Sequence, residues 1–143
     1  MMLFTQTRNL PVISADEAAT LGTVESLTID ARTRSIACLR LAKAPKDRAV
    51  IGWDAVEAVG RDAVIVRSRG AAEPGPKDLP EHLEAVGSRV LTEHGVEHGT
   101  VKDVAFDPAT GKVLNLYTAL GDIEGDRLIG LGSHAVVVHA ERG

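Results

Sequence analysis

The apolar positions of the chain follow a β pattern that occurs twice. Two triplets of apolar residues are each spaced three and then two residues apart, 77 positions from one another: Val24, Leu27, Ile29 and Val101, Val104, Phe106. A regular strand alternates every second residue, so the extra residue predicts a bulge, near Glu25–Ser26 in the first repeat and Lys102–Asp103 in the second. We expect these apolar residues to point into two separate barrel interiors.

A tight turn follows each bulged strand. In the second repeat, Pro108 and Gly111 supply the fixed φ and the positive φ that turns use, and a β-branched strand from Lys112 to Thr118 completes a predicted hairpin. Arg34 stands where the second repeat has Gly111, so either the first turn has a different shape or Arg34 adopts a strained positive φ. A valine-rich strand then closes each repeat, and the second repeat is five residues shorter before it.

The remaining segments predict little helix. Ser14–Glu17 matches a capping box and predicts one or two helical turns, and Trp53–Glu57 predicts another short helix. Residues 70–78 are rich in Pro and Gly and predict a linker between domains at 1–69 and 79–143. The fold class expected is mostly β, with two tandem small β-barrels and only short helical turns.

Several segments of both repeats carry a family resemblance. In the second repeat they are Val86–Val90, Gly95, Gly99–Val104, Asp107–Val113 and Gly130–Val138. In the first they are Gly22–Val24, Ile29–Asp30, Ile51–Val56 and Gly60–Val64. Together they resemble the PRC-barrel domain, a family named for the cytoplasmic barrel of the photosynthetic reaction-centre H subunit and also present in a ribosome maturation factor. The resemblance implies small β-barrels that bind proteins or assist assembly, with no catalytic residues to transfer.

Charge is distributed unevenly between the repeats. Residues 1–70 contain 10 Lys and Arg against 8 Asp and Glu, whereas residues 71–143 contain 6 against 12, which together give the net charge of −4. The imbalance suggests two units with different faces. We expect an apolar interface between them, either within one chain or across a homodimer.

The candidate partner-binding residues lie in the first repeat. They are the six basic residues of its hairpin and next loop, together with the only tryptophan: Arg32, Arg34, Arg40, Lys43, Lys46, Arg48 and Trp53. The basic residues form either a solvated hairpin, a contact for the acidic second repeat or a protein partner, or an RNA-binding surface. The acidic balance and the scarcity of aromatic residues disfavour direct nucleic-acid binding. Trp53 either plugs one end of the first barrel or anchors a partner.

No other site is supported by the sequence. His94 and His98 repeat a Glu-His pair, but Gly95 and Gly99 place a hairpin between them, so we expect no metal site. Gly121–Asp126 predicts a plain turn because it lacks the ligand pattern of a calcium loop. No catalytic residue and no cofactor is expected, since no nucleophile elbow, phosphate loop or dinucleotide motif occurs.

These observations predict a non-enzymatic protein-interaction or scaffold module, built from paired barrels, whose protein partner the residues do not identify. The alternative is an accessory factor in RNA processing or ribosome assembly. No apolar run approaches the roughly 18 residues of a membrane-spanning helix. The first residues lack a secretory pattern, so we expect a cytoplasmic protein.

Overall fold

The structure is a computed structural model that describes residues 1–45, 48–73, 85–132 and 135–140. The chain is mostly β, as predicted. In chain order the strands are β1 (Met2–Leu3), β2 (Pro11–Ser14), β3 (Thr20–Asp30), β4 (Ser35–Ala42), β5 (Val50–Gly52), β6 (Val56–Val59), β7 (Val64–Val66), β8 (Ala72–Glu73), β9 (Arg89–Thr92), β10 (Glu97–Phe106), β11 (Val113–Thr118), β12 (Gly121–Glu124), β13 (Leu128–Leu131) and β14 (Val136–Val138). The helical elements are α1 (Phe4–Thr7) and 3₁₀ turns at Trp53–Ala55, Arg69–Ala71 and Gly125–Arg127. No helix in this part of the chain is long and apolar enough to cross a membrane.

In the described residues the strands form two seven-stranded sheets, and six strands of each follow the same order. The first sheet runs β6-β7-β2-β3-β4-β5-β8, and the second runs β13-β14-β9-β10-β11-β12 with β1 added beside β10. In each repeat a parallel pair joins the first strand to the last, β2 to β7 and β9 to β14. A 3₁₀ turn links β5 to β6 in the first repeat and β12 to β13 in the second. In the second sheet these are the two end strands of the path, whereas in the first sheet β8 lies outside β5.

The predicted bulges and hairpin turns are confirmed. The register between β3 and β4 shifts between Val24 and Ser26, and the register between β10 and β11 shifts between Val101 and Asp103. Gly111 has a φ of 80° and Arg34 a φ of 56°, so Arg34 adopts the positive φ that its position in the repeat requires. Such a conformation costs a non-glycine residue roughly 1–2 kcal/mol.

The helix predicted at Ser14–Glu17 is wrong. These residues end β2 and turn directly into β3, and the Ser14 hydroxyl accepts a hydrogen bond from the Ala19 N–H at 3.3 Å. The side-chain oxygen of a serine can cap a helix or close a turn. Here a turn forms because β2 pairs with β3. The helix predicted at Trp53–Glu57 is confirmed in part, because Trp53–Ala55 form a 3₁₀ turn whereas Val56 and Glu57 begin β6.

The length difference between the repeats lies in one loop. Residues 43–49 connect β4 to β5, whereas residues 119–120 suffice between β11 and β12. The seven-residue and two-residue connections account for the five residues noted in the sequence. Ala72 and Glu73, within the predicted linker, form β8 beside β5, and residues 74–78 of that linker lie outside the described residues.

The two repeats meet through equivalent positions. Ser35 and Lys112, 77 residues apart, form an antiparallel bridge with each other. The Ile36 N–H donates to the Gly111 oxygen at 2.8 Å, and the Val113 N–H donates to the Arg34 oxygen at 2.8 Å. An interface in which residue i contacts j′ and j contacts i′ has two-fold symmetry, so the repeats pack about a pseudo-two-fold axis within one chain.

The N-terminal segment reinforces this junction. β1 pairs with β10, placing Met2 opposite Phe106, and Asp103 accepts hydrogen bonds from the backbone N–H and the hydroxyl of Thr5. The first residues of the chain therefore bind to the sheet of the second repeat. The boundaries predicted at 1–69 and 79–143 remain a prediction.

One hydrophobic core spans both repeats. All six residues of the apolar triplets are at most 5% exposed, as predicted. They belong to one cluster of buried side chains rather than two separate interiors, because Phe106 contacts aromatic residues that precede the second repeat. Its ring centroid is 5.5 Å from that of Phe4 and 6.3 Å from that of Trp53.

Candidate functional site

The candidate basic residues are divided between the two ends of the β3–β4 hairpin. Arg32 and Arg34 lie in its turn, whereas Arg40 and Lys43 lie at the far end of β4, followed by Arg48 in the next loop. Six residues of strand, from Arg34 to Arg40, span roughly 20 Å, so one small ligand would not contact both groups. We call the second group, Arg40, Lys43 and Arg48, the loop-end group. Lys46 lies outside the described residues.

The turn-end arginines already have partners inside the chain. Arg32 is 92% exposed and lies 3.6 Å from the carboxylate of Asp30, which also accepts its backbone N–H. Arg34 is half-buried and donates from Nε to the backbone oxygen of Leu128 at 3.0 Å. Arg34 therefore contacts the second repeat, which was one of the alternatives that the sequence left open.

Of the loop-end group, Arg48 lines an open cleft of about 180 Å³. Thr20 and Leu21 at the start of β3 line the cleft, together with Pro45 and Arg48 of the β4–β5 loop. The remaining described lining residue is Arg69, which was not among the candidates from the sequence. Arg48 and Arg69 are exposed, and Arg69 pairs with Glu17 at 3.1 Å. Two guanidinium groups beside a hydroxyl suit a carboxylate or another anionic group.

Arg69 could not be found from spacing alone. It follows β7 by three residues and reaches the cleft because the chain turns back toward β5 to form β8. The basic residues Arg67 and Arg69 mark the segment in the sequence. Nothing local there indicates that Arg69 faces Thr20 and the β4–β5 loop.

Trp53 packs across the junction between the repeats. It is half-buried, its ring stands edge-on to Phe106 at an interplanar angle of 89°, and its indole lies against Gly111. Trp53 thus packs against the core shared by both repeats and contacts residues of the second. A role of Trp53 as a partner anchor stays a prediction.

The histidines lie around a hairpin, as predicted. His94 is exposed in the β9–β10 turn, where Gly95 has a φ of 77°, and His98 is on β10. The Glu93 carboxylate contacts His139 Nδ1 at 3.0 Å and accepts the Ala140 N–H at 3.1 Å. The Ala140 hydrogen bond first, and His139 second, lower the pKa of Glu93. Within the described ranges no three His, Cys, Asp or Glu side chains converge on a point that could hold a metal.

The acidic segment Gly121–Asp126 is structured. Its first four residues form β12, and Gly125 and Asp126 begin a 3₁₀ turn. Asp122, Glu124 and Asp126 are exposed, whereas Ile123 is fully buried. The segment is therefore a sheet edge with alternating apolar and acidic positions rather than the plain turn expected.

The architecture defines a class of protein: two β repeats fused about a pseudo-two-fold axis into one core. The family model of the PRC-barrel domain matches residues 1–72 and 84–142. The chain therefore belongs to the PRC-barrel domain family, as the sequence analysis expected. Among curated proteins, none gives a significant match to the chain.

Proposed function

We propose that the chain is a non-enzymatic scaffold that holds a partner protein in a larger assembly. Membership of the PRC-barrel family supports a role in protein interaction. The observation that carries the proposal is the fusion of both repeats into one core through reciprocal backbone hydrogen bonds. A fused pair presents two related surfaces at a fixed distance, which is what a scaffold requires.

The two surfaces differ where the repeats diverge. The first repeat has the seven-residue β4–β5 loop with the loop-end group, and the second repeat has the short β11–β12 turn followed by acidic β12. Charged residues at the rim of an interface mainly set the rate and specificity of association. We assign the cleft lined by Arg48 and Arg69, together with the rest of the loop-end group, to an acidic segment of the partner.

The proposal includes the oligomeric state and the location of the protein. The junction already buries the apolar faces of both repeats within one chain, so a homodimer is not needed for that purpose. The proposed form is a monomer that acts in the cytoplasm. Sedimentation of the full chain would give its mass, and a dimer would contradict the first part of this assignment.

Affinity purification from the native cell tests the function. The full chain should recover one protein in constant proportion, with or without nuclease, and Arg40→Ala/Lys43→Ala/Arg48→Ala should lose it. A matched control is the triple variant Arg8→Ala/Arg61→Ala/Arg67→Ala, which removes the same charge elsewhere on the first repeat. Recovery of no protein by the native chain would contradict the scaffold function.

RNA binding is the alternative that the same experiment separates. It predicts that capture is lost after nuclease treatment and that affinity for single-stranded RNA falls steeply with salt as phosphate contacts are screened. The pairing of Arg34 with Leu128 and of Arg32 with Asp30 leaves a smaller basic surface than the sequence suggests. Direct RNA binding is therefore the weaker of the two.

A further inference from the structure

The outer edge of β12 is open within the part of the chain that the structure describes. β12 pairs with β11 on one side, with Leu116 opposite Ile123 and Tyr117 opposite Asp122. No described strand pairs with its other side. An edge strand presents backbone N–H and C=O groups that can pair with another extended segment.

The equivalent edge of the first repeat is already used for strand addition. β5 corresponds to β12, and its outer edge pairs antiparallel with β8, placing Glu73 opposite Val50 and Ala72 opposite Ile51. The correspondence is supported by register, because Leu39 pairs with Ile51 as Leu116 pairs with Ile123. The fold therefore accepts an extra strand here, opposite Asp122 and Ile123 in the second repeat.

The side chains at the β12 edge indicate the chemistry of the added strand. Asp122 and Glu124 are exposed, and neither forms an ion pair with a described cation. Leu120, just before the strand, is 65% exposed. Opposite charges on neighbouring strands stabilise their pairing, whereas like charges oppose it. An extended basic segment fits this edge, whereas antiparallel pairing with a second copy would bring the acidic edges together.

We propose that β12 binds an extended, basic segment of a partner protein by strand addition opposite Asp122 and Ile123. Backbone hydrogen bonds provide the pairing, and alternate lysine or arginine side chains meet Asp122 and Glu124. An apolar residue at one end of the segment contacts Leu120. This inference deepens the proposed scaffold function and rests on it.

Titration of the full-length, isotope-labelled protein with a seven-residue peptide of alternating lysine and valine tests the site. The amide resonances of Gly121–Glu124 should shift in a saturable way and gain protection from hydrogen exchange. Asp122→Lys/Glu124→Lys should weaken binding about tenfold or more, since two favourable cross-strand pairs become repulsive. The matched control Asp16→Lys/Asp62→Lys changes two exposed acids in turns of the first repeat and should leave the affinity unchanged.

A second peptide separates strand addition from charge attraction. The same sequence with alternate amides N-methylated keeps every charge but lacks the donors that pair with β12, so it should not bind. Equal binding of both peptides, or shifts confined to residues outside β12, would overturn the proposal. A native dimer that Asp122→Lys/Glu124→Lys converts to a monomer would also overturn it, because the edge would then bind a second copy.

The inference and the proposed function can fail separately. If Asp122→Lys/Glu124→Lys still recovers the protein captured by the native chain, and the peptide does not shift β12, the chain is a scaffold that does not use this edge. If the native chain captures no protein, the scaffold function fails whatever the peptide does.

Discussion

Trp53 of the first repeat lies directly over Gly111 of the second. A Cβ placed on Gly111 would stand 2.7 Å from both Cε2 and Nε1 of the indole, closer than such atoms approach in folded proteins. Gly111 also has a positive φ of 80°. Glycine is therefore required at position 111 for two reasons. The turn needs a positive φ, and the Trp53 ring leaves no room for a Cβ.

Gly111→Ala should destabilise the protein by about 2 kcal/mol, since backbone strain and displacement of a rigid ring add. In a Trp53→Ala background the same change should cost only about 1 kcal/mol, because the backbone strain alone remains. Urea denaturation of the native protein, the two single variants and the double variant gives the coupling free energy between the two sites. Equal costs in both backgrounds would mean that the indole does not contact the turn.

Arg34, the equivalent of Gly111, should show an inverted preference between alanine and glycine. Both replacements lose the hydrogen bond to Leu128, but Arg34→Ala keeps the cost of a φ of 56° and Arg34→Gly removes it. We expect Arg34→Gly to be about 1 kcal/mol more stable than Arg34→Ala by chemical denaturation. The control is Ala37, an exposed residue of β4. There the native protein with alanine should be more stable than Ala37→Gly, which is the usual order in a strand.

The sequence predicted those parts of the fold that depend on local pattern. The bulges and the hairpin turn follow from residues three positions apart in the chain, such as Val24 and Leu27 or Pro108 and Gly111. The error at Ser14 has a physical origin, because the polar chemistry that caps a helix also closes a turn. The strand β1 was not predicted, since two residues carry no periodicity.

The contacts that define the candidate site depend on distant residues. Arg34 and Leu128 are 94 positions apart, and Trp53 reaches Phe106 and Gly111 only because the repeats pack about the pseudo-two-fold axis. The sequence identified Arg34 and Trp53 as notable residues but left their partners open. The repeat itself was visible, whereas the way in which its two halves meet was not.

Glu93 should titrate below the ordinary glutamate value of 4.5, because the Ala140 N–H and then His139 stabilise its carboxylate. A folded pKa below the unfolded one contributes stability above the unfolded pKa, and this is lost as the pH falls through the folded pKa. Carbon-detected NMR titration of the Glu93 carboxyl measures its pKa in the folded protein. His139→Ala should raise the pKa of Glu93 only partway, since the Ala140 hydrogen bond remains.

His94→Ala provides the matched control for that titration. The interaction of His94 with Glu93 is the smallest of the causes that lower the pKa, so its removal should raise the pKa less than removal of His139. A Glu93 pKa at or above 4.5 in the native protein would contradict the contact between Glu93 and the segment that follows β14.

Phe106→Ala should destabilise both repeats together. Phe106 is fully buried and contacts Phe4 and Trp53, so its removal opens a cavity at the centre of the shared core, at a cost of about 3–5 kcal/mol. Because one cluster spans both sheets, the native protein and the variant should each unfold in one cooperative transition. Circular dichroism, which reports all strands, and the fluorescence of Trp53, which reports the junction, should give the same urea midpoint. Val59→Ala, in a half-buried position on the outer strand β6, is the matched control and should lower the midpoint much less. Two separate transitions, with Trp53 following only the first, would show that the repeats fold as independent units.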